Sequence, residues 1–280
     1  MNTILVPTDF SAVAKKATDF AVSLAKTLDL KIKLVHAYQI ETAFTYEAAS
    51  VIEGQVEVAR EESEKQLAAL EAQVKIEGVE VDTFSAYGNI TDVMFEMADN
   101  EDEEAVFVVM GTRGRHTTME RLMGSNAYHV AQNSTCPIFV IPEQTELHEI
   151  KQIVYAADFK KDEVMVARKV IDLAHILKAT PELLHVHTLY EPYLSNDREV
   201  TKHLEEEFKE EGLATKLYLA EGIEEGIEHF VKQHKPDLLI FAMKERGFLE
   251  RMLHHSVTKH FIQTLTIPML ILPAKEVFNA

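Results

Sequence analysis

The sequence predicts an α/β fold: open parallel sheets with helices on both faces, built twice in tandem. Three observations carry that prediction. Short apolar runs bounded by polar residues alternate with amphipathic stretches, in the order β-α-β-α. The strand-like runs, "TILVPT" and "AVFVVM" among them, are apolar almost throughout, as parallel strands covered on both faces are. The pattern also occurs twice. "ILVPTDFSAVAKKATDFAVSLAKTLDLKIKLVHAY", from Ile4, matches "IVYAADFKKDEVMVARKVIDLAHILKATPELLHVHT", from Ile153. Asp9-Phe10 falls on Asp158-Phe159, Leu24-Ala25 on Leu173-Ala174, and His36 on His185. The ends match as well, "CPIFVIP" against "IPMLILP", and the second copy is shorter in its middle.

Taken in order, the first copy starts with the strand "TILVPT". A helix follows from Ala12 to Leu28, with Ala17, Ala21, Leu24, Ala25 and Leu28 at helical spacing. "KIKLVHAY" is the second strand. A long charged helix covers Ala48 to Ile76, where Glu61, Glu62, Glu64 and Lys65 lie between Val58, Leu67 and Leu70. Strand "VEVDTFSAY", helix "ITDVMFEMADN", strand "AVFVVMG", helix "NAYHVAQN" and strand "PIFVIP" complete it. The polar, aperiodic stretch Glu143–Lys151 separates two domains, 1–145 and 150–280. In such sheets ligands bind outside the C-terminal ends of the strands, where the strand order reverses.

Composition narrows the function. Of the 280 residues, 46% are hydrophobic and 26% charged, which predicts a globular chain and not a disordered one. A formal net charge of −18 repels nucleic acid and anionic membranes, so neither is expected as a partner. No apolar run is long enough for a membrane span. The start lacks a basic region followed by a long apolar one, so no signal peptide is expected. The single Cys136 rules out an internal disulfide framework, and its place in an apolar strand predicts a buried small hydrophobe. Together these predict a cytoplasmic protein.

The chemistry concentrates in "VVMGTRGRHTTMERLMGSNAYHV", Val108 to Val130. Gly111 and Gly114 follow a buried strand, where glycine permits positive φ and close approach of a ligand to the backbone. Gly124 and Ser125 open the next helix, whose N–H groups and partial positive charge hold phosphate. Arg113, Arg115 and Arg121 add local positive charge. These pieces describe a phosphate cradle; the competing reading is a plain turn followed by an ordinary helix cap. The spacing is neither a Walker A loop nor G-x-G-x-x-G. Asp9, at a strand end, either caps the helix beginning near Ser11 or contacts a ligand, on ribose, base or a phosphate-bound divalent ion.

Gly, two residues, Gly, nine residues, Gly-Ser resembles the nucleotide-binding signature of the universal stress protein family, met by Gly111, Gly114, Gly124 and Ser125. "ILVPTDFS" and "CPIFVIP" resemble that family's first and last strands, and the likeness covers nearly the whole chain as two copies. The resemblance implies two Rossmann-like domains, each a five-stranded parallel sheet. It implies ATP, with a divalent cation such as Mg²⁺, bound between the first strand and the glycine loop. Pro7, Thr8 and Asp9 would meet the adenosine, with Ala37 beside the base. Met110, Gly111, Arg113 and Gly114 would line ribose and phosphates, and Gly124, Ser125, Asn126 and Ala127 would hold phosphates. It further implies a pseudo-dimer of the two halves, admits a homodimer, and leaves protein partners unnamed.

The second copy departs from the signature. Ala242 falls on Gly111, Glu245 on Gly114 and His255 on Gly124, and Ser256 alone remains. This half is expected to be a degenerate partner without nucleotide. His185, His187, His254, His255 and His260 concentrate in it, and His185, His187 and His255 with Asp158 are of the types that could converge on a metal. Without a tight ligand spacing, no metal is assigned. Nor is any catalytic residue, since no general base stands near the glycine loop. An ATP-binding stress or regulatory protein is the preferred function; a slow ATPase or phosphotransferase on the same site is the alternative.

Overall fold

A computed structural model of the protein describes residues 2–40, 49–98, 105–112, 127, 129–131, 134–159, 163–189, 194–242 and 266–273. The chain divides into two compact units, Met1–Glu143 and Gln144–Ala280.

In the first unit the strands are β1 (Thr3–Pro7), β2 (Lys31–Tyr38), β3 (Val81–Tyr87), β4 (Ala105–Gly111) and β5 (Ile138–Ile141). The helices among the described residues are α1 (Ala12–Leu28), α2 (Ala49–Ile76) and α3 (Ile90–Ala98). The strands run in the order β3-β2-β1-β4-β5, all neighbours parallel. The chain steps one way from β1 through β2 to β3, then back across to β4. Right-handed crossovers therefore place α1 and α2 on one face and α3 on the other. Every residue of β1 and of β5 is buried, which explains why neither strand alternates in polarity. α1 buries Val13, Ala17, Phe20, Ala21, Leu24 and Ala25, the face that its spacing predicts, while Leu28 is only half-buried. Ser11 caps the helix, its hydroxyl accepting from the Ala14 N–H at 3.2 Å.

The second unit repeats this plan. Its strands are β6 (Gln152–Ala157), β7 (Thr180–Thr188), β8 (Ala214–Ala220), β9 (Leu238–Ala242) and β10 (Met269–Leu272). Its helices among the described residues are α4 (Glu163–Leu177), α5 (Leu194–Glu207) and α6 (Ile223–His234). The order is β8-β7-β6-β9-β10, again parallel. Gly226 lets α6 sit close on β7: a Cβ there would come within 2.6 Å of Val186 Cγ1. Asp237, just before β9, fastens the start of β6. Its Oδ2 accepts from the N–H groups of Lys151 and Gln152, both at 2.8 Å.

Both units share one unusual turn. Phe10 and Phe159, each following the aspartate after the first strand, have φ of 59° and 50°. A left-handed conformation costs a residue with a Cβ roughly 1–2 kcal/mol. In return each ring reaches the second strand: Phe10 lies 4.6 Å from His36 and Phe159 stacks at 3.9 Å on His185, measured between ring centres.

Candidate functional site

The strand order of the first unit reverses between β1 and β4, which opens a crevice at their C-terminal ends. Pro7 ends β1 on one side, and Met110 and Gly111 end β4 on the other. Thr8 continues along β2, its N–H donating to the Val35 carbonyl at 2.8 Å. That register brings Asp9 level with Ala37, and both are half-buried. The turn is held by side chains. Thr8 Oγ1 accepts from the Phe10 N–H and Asp9 Oδ1 from the Ser11 N–H, each at 3.0 Å. Asp9 thus fixes the approach to the helix, while Ser11 is the cap itself.

Gly111 is extended strand backbone without positive φ, so conformational freedom is not its purpose. Close approach is. A Cβ there would lie 2.9 Å from Val13 Cγ2 and 3.1 Å from the Val13 carbonyl oxygen. The glycine lets β4 pass against the first turn of α1. Ala127 is buried in the helical stretch that precedes β5. Arg113, Gly114, Gly124, Ser125 and Asn126 lie outside the described residues, as do Arg115 and Arg121.

Beside the crevice stands a polar chain that the sequence reading missed. His36 Nδ1 meets Ser63 Oγ of α2 at 2.7 Å, and Ser63 Oγ meets Ser85 Oγ of β3 at 2.5 Å. Burial lowers the His36 imidazole below its ordinary value, with the Asp9 carboxylate pulling the other way.

At the matching edge of the second unit, Asp158 follows β6 without the Pro-Thr of the first copy, and Ala242 ends β9. Glu245, His254, His255, Ser256 and His260 lie outside the described residues. His185 and His187 do come together, on β7, but the carboxylate that joins them is Asp197 of α5, not Asp158. The only sequence cue to it was an acid at the start of the helix after a His-x-His strand. Deeper in this unit, burial raises the Tyr155 phenol well above its ordinary value, and the neighbouring Glu163 carboxylate adds to the effect. Cys136 is buried as expected, its Sγ donating to the Ala105 carbonyl at 3.2 Å.

Two doubly wound α/β units in tandem, each with an Asp-Phe turn set against a histidine at its strand ends, define the class of protein. A model of the universal stress protein family matches residues 1–142 and again residues 149–273, so the chain belongs to that family, in a tandem two-domain form. It is 30% identical to universal stress protein MJ0531 of Methanocaldococcus jannaschii over 139 residues, 49% of this chain and 80% of the relative. It is 28% identical to YxiE of Bacillus subtilis over 148 residues, 50% of this chain and 98% of the relative. Among solved structures, a universal stress protein from Archaeoglobus fulgidus has a similar fold, with a TM-score of 0.73 over 97% of this chain and 96% of that one at 16% identity. No helix among the described residues is long and apolar enough to cross a membrane.

Proposed function

We propose that this protein is a stress-response regulator that binds ATP, with Mg²⁺, in a first domain spanning 1–145, while a second domain spanning 150–280 serves as a degenerate partner. The observation that carries this reading is the convergence of Thr8, Asp9 and Ala37 with Met110 and Gly111 on the β1/β4 crevice, from which the glycine spacing continues along the chain. The residues fit a nucleotide: Asp9 is held by the Ser11 N–H, Ala37 is small and half-exposed, and Gly111 ends β4 at the rim. Pro7, Thr8 and Asp9 take the adenosine, with Ala37 beside the base. Met110, Gly111, Arg113 and Gly114 line the ribose and phosphates. Gly124, Ser125, Asn126 and Ala127 hold the phosphates with N–H groups at a helix start. Bound nucleotide supplies the signal; the protein's residues bind and orient it, and partners read the result.

The test is calorimetry of ATP against the full chain, with heat-released nucleotide from freshly purified protein identified by mass spectrometry. Saturation at one ATP per chain is expected. No heat of binding and no co-purified nucleotide would remove the reading, and ADP accumulating on incubation with ATP would replace it by turnover.

A further inference from the structure

His185 and His187 are two residues apart on β7, so their side chains leave the same face of the sheet. Both are buried, with side-chain exposures of 10% and 6%; Asp197, in the first turn of α5, is 20% exposed. Each of the three offers one ligand atom, and those atoms all lie within 4.8 Å of one another. Asp197 Oδ2 is 3.2 Å from His185 Nε2 and 2.5 Å from His187 Nδ1.

The proton count makes this arrangement unusual. His185 Nδ1 lies 2.9 Å from the Ala157 carbonyl oxygen, which can only accept, so Nδ1 carries a proton. In the neutral ring Nε2 then bears a lone pair, and that lone pair is aimed at a carboxylate oxygen already engaged by His187. Two electron-rich atoms facing each other need positive charge between or on them. A ring N–H held by a backbone carbonyl, with the opposite nitrogen presented to a cation, is how metal-binding histidines are oriented. Phe159, stacked at 3.9 Å and 11° on the His185 ring, fixes it further.

We propose that His185, His187 and Asp197 form a binding site for a divalent first-row transition ion, Zn²⁺ foremost. Two imidazole nitrogens and one carboxylate suit such an ion and disfavour Mg²⁺ or Ca²⁺, which take oxygen ligands. Four ligands at about 2.0–2.1 Å from zinc stand roughly 3.3 Å apart. The His185–Asp197 spacing already fits, and the His187–Asp197 spacing has to open by roughly 0.8 Å. Three protein ligands leave one coordination position for water or an exchangeable ligand. The site is independent of ATP binding in the first unit, where Tyr38 replaces His187 and Ser63 is the helix partner of His36.

The experiment uses untagged full-length protein stripped with a chelator, then titrated with Zn²⁺ by calorimetry and with Co²⁺ by visible absorption. The expected result is one ion per chain, with the intense visible bands of four-coordinate cobalt. Asp197→Asn, nearly isosteric, should weaken Zn²⁺ binding about tenfold or more. His148→Gln, which alters an exposed histidine paired with Asp237, should leave it unchanged. If Asp197→Asn fails to fold, His187→Gln takes its place. Absence of saturable Zn²⁺ and Co²⁺ uptake by the wild-type chain, or equal uptake by the Asp197 variant, overturns the proposal; the cluster is then an imidazolium–carboxylate pair.

Discussion

β2 of the first unit and β7 of the second present a histidine at the same place, and each takes a phenylalanine ring from the same turn. Their helix partners differ in kind. His36 leads to two neutral hydroxyls, Ser63 and Ser85, whereas His185 meets a carboxylate shared with a second histidine. The glycine loop differs in the opposite sense, since Gly111 and its partners are lost from the second copy. Both changes fall at the C-terminal ends of the strands, while strand order and parallel pairing are the same in the two units. Divergence between the copies is therefore a change of side chains at the strand ends on an unchanged frame, and each unit has to be tested separately.

The sharpest way to break that contrast is at the phosphate position. If Gly124 holds phosphate as proposed, Gly124→Val places a branched side chain in its way and should abolish ATP binding in calorimetry, with circular dichroism unchanged. His255→Gly should not create binding in the second unit, because Ala242 and Glu245 remain. Unaltered affinity in the first variant, or new affinity in the second, would end the assignment of nucleotide to one half.

A second contrast lies at the end of the fourth strand. Gly111→Ala sets a Cβ against Val13, including its backbone, and should cost about 1–3 kcal/mol in urea unfolding, as overpacking does. The reverse change in the other unit, Ala242→Gly, removes one half-buried methyl group and should cost about 1 kcal/mol. Equal effects would mean that the two strand ends pack alike.

The Asp237 clamp is smaller in effect. Burial pushes this carboxyl up, but the N–H of Lys151, with His148 and the N–H of Gln152, outweighs burial and holds it below its ordinary 3.8. A folded value below the unfolded one adds stability above about pH 3.8, and that gain is lost as pH falls through the folded value. Asp237→Asn should therefore cost about 1 kcal/mol at pH 7 after allowance for its partial exposure, and less at pH 3. A cost independent of pH would assign the clamp to hydrogen bonds alone.

His36 gives the smallest and most specific signal. Its folded value lies below the ordinary 6.5, so the unfolded chain takes up this proton first as pH falls. Its contribution is complete above about pH 6.5 and declines below that. His36→Gln should flatten the loss of stability between pH 6.5 and 5, seen as a smaller shift in the urea midpoint than in the wild-type chain.

The frame was legible because it rests on period and repetition. β1 and β5 are wholly buried, so their runs are uniformly apolar, and α1 buries a face spaced at helical intervals. The Asp-Phe pairs were visible as a repeat, yet nothing in their composition announced a left-handed phenylalanine. Gly111 stood out as a place for positive φ or for close approach of a ligand; its φ is not positive, and the close approach seen there is that of Val13. Asp197 and Ser63 stayed hidden because they lie on polar helices, α5 and α2, amid many similar residues. Only the packing of those helices on their strands selects one side chain from each to face a histidine.

The turn at Phe10 and Phe159 bears on how such a chain can be rebuilt. A conformation that disfavours any side chain persists in both copies, although only one retains the glycine signature. The turn therefore answers to the scaffold rather than to the ligand: it sends the chain from sheet to helix and uses the ring to brace the histidine on the second strand. That makes it a modular joint. The residues around it differ between the copies, while the aspartate, the phenylalanine and the histidine travel together.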